Sequence, residues 1–207
     1  SITAWSRQSI FKGTKPDLSA DNSKEEKLFR SYWQRNRVAD SNVDFIKVGM
    51  IGPLERLNVL DHVEMLGLVT NDLDELMHGT FIGNIQLKHN TELWIEKSNF
   101  VDHIRELKES GFTIFITTDH GSVEARGIKN LKLKDKLGST SRSKRHAHFS
   151  NERMLTNFRE QNPELDFGVT GLSVYLKNEE AFTTEHTAVV THGGSHFWEV
   201  LVPFITL

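Results

Sequence analysis

Three short segments of the chain carry the residue types that bind divalent cations. "VTNDLDELMHG" holds Asp74 and His78 four positions apart. On a helical turn such positions share a face, so a carboxylate and an imidazole can meet one ion. "TTDHG" sets Asp119 and His120 after the apolar run "GFTIFI". Neighbours on a continuing strand point to opposite faces, so both reach one site only if the strand breaks there, which Gly121 permits. "VVTHGG" puts His192 between an apolar β-like run and two glycines. Each segment taken singly is also ordinary: a solvated helix face, a turn, a loop with a capping histidine. Asp72 competes with Asp74 as a ligand, and only the spacing to His78 favours Asp74. Aspartate oxygen and histidine nitrogen suit zinc and similar ions. The chain has no cysteine, so any zinc must be held by these groups.

The elements that must position these residues can be read from periodicity and punctuation. "SITAWSRQSIFKGTKP" predicts a helix stopped by Gly13 and Pro16, and "SKEEKLFRSYWQRN" a second helix, acidic at its start and basic near its end. "VDFIKVGMIGP" and "DHVEMLGLVT" read as strands. "LWIEKSNFVDHIRELKESG" places Leu93, Phe100, Ile104 and Leu107 at helical spacing, with Gly111 at the C-terminal cap. "FTIFITT" is apolar enough to predict a buried, central strand. Residues 121–165 form a polar, basic excursion with one helix after Asn151. "GLSVYLKN", "TAVVTHGG" and "EVLVPFITL" complete a β-rich end. Helices alternating with apolar strands predict an α/β sheet with much parallel pairing, in which ligands bind beyond the carboxyl ends of strands. All three ligand-bearing segments fall at that edge.

A chain of 207 residues suffices for one sizeable domain, and a net charge of -3 gives no electrostatic reason for strong attraction to nucleic acid or membrane. No apolar run approaches the length of a membrane span, and the start lacks the basic-then-apolar pattern of a signal peptide, so a cytoplasmic location is the default. The most basic segment, "STSRSKRHAHFSNER", reads either as a solvated loop or as a phosphate clamp built on Arg145 with Lys144 and Arg142. The same patch could touch a nucleic-acid backbone. His146 and His148 alternate as on one strand face without a nearby acid and read as surface residues. His103 on the amphipathic helix and the Asp61–His62 pair ahead of a strand are left out of the site.

The order Asp-x-x-x-His, Asp-His-Gly and C-terminal His-Gly resembles the alkaline phosphatase superfamily. More narrowly, "FTIFITTDHG" with "VVTHGGSHFWEVLVPFI" resembles the PglZ domain of bacterial phage-exclusion (BREX) systems and some response regulators. His192, Gly193, Gly194, Glu199, Val200 and Pro203 match its closing motif, and Ser6, Arg7, Ile10, Phe11 and Gly13 match its nucleophile segment. His196 stands near a position where the family tends to have Ser. The likeness spans essentially the whole chain. It implies a three-layer α/β sandwich with a largely parallel central sheet and two adjacent divalent ions, usually zinc. Asp74, His78 and His192 would hold one ion; Asp119 and His120 would hold the other together with the nucleophile oxygen, supplied by Ser1 or else Thr3. The family's first strand and a further ligand Asp belong upstream of Ser1, so the chain reads as the C-terminal portion of a longer PglZ-like domain, holding its second ion less well. The activity implied is hydrolysis of phosphomonoesters or phosphodiesters, in phage defence and beside other defence proteins. Two rival classes stay open: a non-catalytic scaffold that keeps the fold, and a metal-dependent nuclease.

Overall fold

The computed structural model describes residues 3–15, 24–51, 57–80, 83–128 and 143–207. It is a mixed α/β structure whose chain divides into two compact units.

One unit comprises Thr3–Leu76, Leu87–Asp119 and Pro203–Leu207. Helices α1 (Thr3–Lys12) and α2 (Glu25–Arg35) pack near a parallel pair of strands, β1 (Val43–Lys47) and β2 (Met65–Val69), in register Val43 with Met65. Aromatic edges fill this core: Phe11 meets Phe45 at 5.1 Å and Phe29 at 6.0 Å between ring centroids. After α3 (Asp72–His78), the helical pattern expected through residue 111 is interrupted. It forms α4 (Asn84–Lys97) and α5 (Phe100–Glu109), because Ser98 bridges to Ile51 and the Asn99 N–H bonds the Met50 carbonyl. Strand β3 (Phe115–Thr117) corrects the sequence expectation. It is three residues long, pairs antiparallel with β10 (Phe204–Thr206), and leaves Phe115 61% exposed, so it is not a buried central strand.

The other unit includes Met77–Gln86 and His120–Val202. Strand β4 (Val123–Gly127) lies between β8 (Glu180–Ala181) and β9 (Ala188–Thr191), turning Val123 and Ala125 inward and Glu124 and Arg126 outward. A second sheet orders β5 (His146–His148), β7 (Ser173–Leu176) and β6 (Phe167–Thr170). Its core joins Ala147, Phe149, Val174 and Leu176 to Leu155 and Phe158 of α6 (Glu152–Gln161). Asn151 caps α6 by accepting the Met154 N–H at 3.0 Å, which explains why the helix starts where the sequence reading put it. A four-residue helix, α7 (Phe197–Val200), follows the glycine pair.

The expected largely parallel sheet is not among the described sheets. These have two or three strands each, and only β1 with β2 and β4 with β8 run parallel. Strands β9 and β10 return antiparallel against β4 and β3, which breaks the alternating strand–helix logic on which the expectation stood. No helix among the described residues is long and apolar enough to cross a membrane.

Candidate metal centre

Helix α3 carries acids in its first turn and His78 in its last, the polarity that the helix dipole favours. Its two competing carboxylates have different surroundings. Asp72 accepts the Met50 N–H at 2.7 Å and the Trp94 indole N–H at 3.0 Å, which ties it to the packing of its own unit. Asp74 lies one helical turn before His78. With His192, these residues offer one oxygen and two nitrogens that all lie within 4.8 Å of one another. This is the one such group of three or more potential ligands among the described residues. Donors each about 2 Å from a common ion lie no more than about 4 Å apart, so only a small side-chain adjustment would close this set on one cation. One carboxylate and two imidazoles form a donor set suited to zinc, with room for a further ligand.

His192 follows directly on β9 and is 3% exposed. Its carbonyl accepts the Ser143 hydroxyl at 2.6 Å, and the ladder partner of its neighbour Thr191 is Val123 at the start of β4. The imidazole of His78 lies 5.5 Å from that of His192, centroid to centroid. His120 stacks on His192 with centroids 3.8 Å apart and planes only 11° from parallel. The His120 Nδ1 lies 3.0 Å from the Gly121 carbonyl, which can only accept, so Nδ1 is the donor of that hydrogen bond.

The strand does break at Asp119–His120–Gly121, and the two side chains have different partners. Asp119 accepts the Arg7 Nε–H at 2.9 Å. Arg7 also reaches Glu25, at 3.4 Å, and the Asn71 side-chain oxygen, at 2.7 Å. Burial alone would lower the Arg7 pKa, but attraction to Asp119 and Glu25 and its hydrogen bonds to them outweigh it and raise the pKa above the ordinary guanidinium value. Asp119 and His120 belong to no second group of three potential ligands among the described residues.

Arg145 corrects another expectation. Its side chain is 0% exposed; Nε donates to Glu199 at 3.0 Å, Nη2 to the Leu176 carbonyl at 3.2 Å, and Nη1 to the Glu180 carbonyl. A guanidinium sealed and bonded in this way is not an exposed phosphate clamp. Arg142 lies outside the described residues. His146, read as a surface residue, is 9% exposed, and desolvation, with the neighbouring His148 adding to it, lowers its pKa to about 4. Ser1 lies outside the described residues, and Thr3 is the first residue of α1, half-buried. Arg7 and Glu199 stand in the matching motifs, but nothing in their sequence spacing gives either a role. The signal available is their type: an arginine and a glutamate among motif positions that, His192 apart, are small or apolar.

Residues 2–207 match the family model described as the BREX system PglZ alkaline phosphatase-like domain. No curated protein matches the chain. With the ligand types expected from the resemblance gathered on α3 and at the end of β9, and the family match running over nearly every residue, the chain belongs to the PglZ family of alkaline phosphatase-like domains.

Proposed function

We propose that this chain is the metal-dependent core of a phosphohydrolase acting on phosphomonoesters or phosphodiesters, at work in bacterial phage defence of the BREX type. The observation that carries the reading is the convergence of Asp74, His78 and His192 within 4.8 Å. These residues would hold one divalent ion, by donor type preferentially zinc. His120 and Asp119 would serve a second ion, more weakly, because the Arg7 guanidinium competes for the Asp119 carboxylate. When bound, such ions offset the negative charge of a phosphoryl group and lower the pKa of a hydroxyl or water.

The chain's own residues divide the remaining work. The hydroxyl of Ser1, or of Thr3 at the start of α1, is the nucleophile. Its oxygen forms a bond to phosphorus while the ester oxygen opposite leaves with the bonding pair and takes up a proton. Water then displaces the enzyme oxygen in the same in-line sense, returning the hydroxyl and releasing phosphate or a phosphomonoester. His192, 3% exposed, keeps its side of the site shielded from bulk water.

The Arg7–Asp119 pair favours a second reading, an assembly module that retains the fold and one ion for structural purposes. Hydrolysis of a chromogenic phosphodiester separates the two. Turnover that falls at least a hundredfold in His78→Ala and His120→Ala supports catalysis; turnover unchanged by both, or absent from zinc-loaded protein, supports the module.

A further inference from the structure

Glu199 is the least expected group in the interior of its unit: a carboxylate with 0% exposure. Its Oε1 accepts the Gly194 N–H at 2.8 Å and the Arg145 Nε–H at 3.0 Å, and its Oε2 accepts the His196 N–H at 3.0 Å. Its backbone carbonyl accepts the Gly121 N–H, also at 3.0 Å. Gly194 lies two residues past His192, and Gly121 directly follows His120. One residue therefore fastens both turns that present the stacked imidazoles.

The glycines are there to let this happen. A Cβ on Gly194 would stand 2.7 Å from Arg145 Nη2 and collide with the Leu176 carbonyl, and one on Gly121 would collide with the Trp198 carbonyl. Arg145 is the matching cation. Its remaining donors go to the Leu176 and Glu180 carbonyls, so the charge pair is tied into β7 and β8. A buried ion pair is seldom a better source of stability than apolar side chains of the same volume. What a carboxylate supplies, and an apolar side chain cannot, is a set of fixed acceptors for neighbouring backbone N–H groups.

We propose that Glu199, with Arg145 as its buried counter-ion, is a positioning residue: it locks the His192-Gly-Gly and His120-Gly turns together and so sets the spacing of the two imidazoles. Its use presupposes the metal centre proposed above; the ring geometry it controls does not. Groups that orient metal-binding histidines without touching the ion typically alter affinity about 10- to 100-fold when replaced.

The test compares Glu199→Gln with Phe182→Leu, a substitution in the core of the same unit whose side chain makes none of the clamp's hydrogen bonds. Three quantities are read on each: cooperative melting, affinity for zinc alone by competition with a chelating dye, and the ring-proton NMR shifts of His120 and His192 in metal-free protein. Glutamine cannot accept at both oxygens, so E199Q should weaken zinc binding at least about tenfold and move both sets of ring shifts, while F182L lowers the melting temperature and leaves both within twofold and unmoved. Wild-type zinc affinity and ring shifts in a cooperatively folded E199Q overturn the proposal, as does an equal loss in F182L. If E199Q does not fold, Glu199→Asp, which keeps the charge but shortens the reach, is scored by the same criteria. If the wild type binds no zinc, the metal reading fails on its own, and the ring shifts alone decide the positioning role.

Discussion

Arg145 and Arg7 each hold a carboxylate distant in sequence, each within its own unit, and their surroundings differ. Arg145 and Glu199 are both 0% exposed, and every contact of the pair is with neighbouring backbone or with each other. Arg7 and Asp119 keep 12% and 17% of their side-chain surface, and Arg7 spreads its donors over Asp119, Glu25 and Asn71. The first arrangement is closed, because its donors and acceptors are consumed in defining a backbone geometry. The second is open enough to exchange partners. The same charge pairing can thus serve as a fixed clamp in one place and as a competitor for a candidate ligand carboxylate in another, and burial decides which.

Truncation should expose that difference as energy. Arg145→Ala leaves Glu199 buried without its counter-charge and should destabilise the protein by about 4 kcal/mol, whereas Arg7→Ala should cost about 2 kcal/mol because its pair is partly solvated. Urea unfolding of both variants reads the two values. Equal losses would erase the contrast between closed and open pairs. The double variant R145M/E199L should recover only part of the larger loss, since the hydrogen bonds from the Gly194 and His196 N–H groups to the Glu199 carboxylate are then lost.

A smaller effect sharpens the picture of the closed region. His146 follows Arg145 on β5, and its folded pKa is lowered from 6.5 to about 4, desolvation being the main cause. Above pH 6.5 both folded and unfolded forms are neutral and the group adds no pH dependence. As pH falls from there toward 4 the unfolded chain takes up a proton that the folded chain refuses, so stability drops. The total loss is about 3 kcal/mol at most, and His146→Gln should flatten that part of the stability–pH curve. A slope unchanged by H146Q would show that the imidazole is already solvated.

Much of this was legible in the sequence, and the parts that were not share a cause. Helices α1, α2 and α6 announce themselves through local signals such as the acidic start of α2 and the Asn151 cap. Asp74 and His78 were legible as a candidate ligand pair because their spacing lies within one helix, where geometry follows from sequence separation. The break between α4 and α5 was not, since Leu93 and Phe100 keep one helical period across it and the interruption comes from a bridge to Ile51. The strandlike apolarity of "FTIFITT" gave its conformation but not its place, because whether a strand is central depends on which partners arrive from elsewhere. The basic segment around Arg145 suggests a phosphate clamp. The burial of Arg145 depends on Glu199, 54 residues later, which no local pattern reveals. The stacking of His120 on His192 is likewise a product of long-range pairing between β4 and β9.

The claim on which the rest stands is that Asp74, His78 and His192 share one cation. Zinc titration of the metal-free protein by calorimetry, in parallel with Asp74→Ala and His192→Ala, addresses it directly. The expected result is one tight equivalent per chain that both variants lose while remaining folded. Binding of no zinc by the intact chain, or the same tight equivalent in both variants, would contradict it.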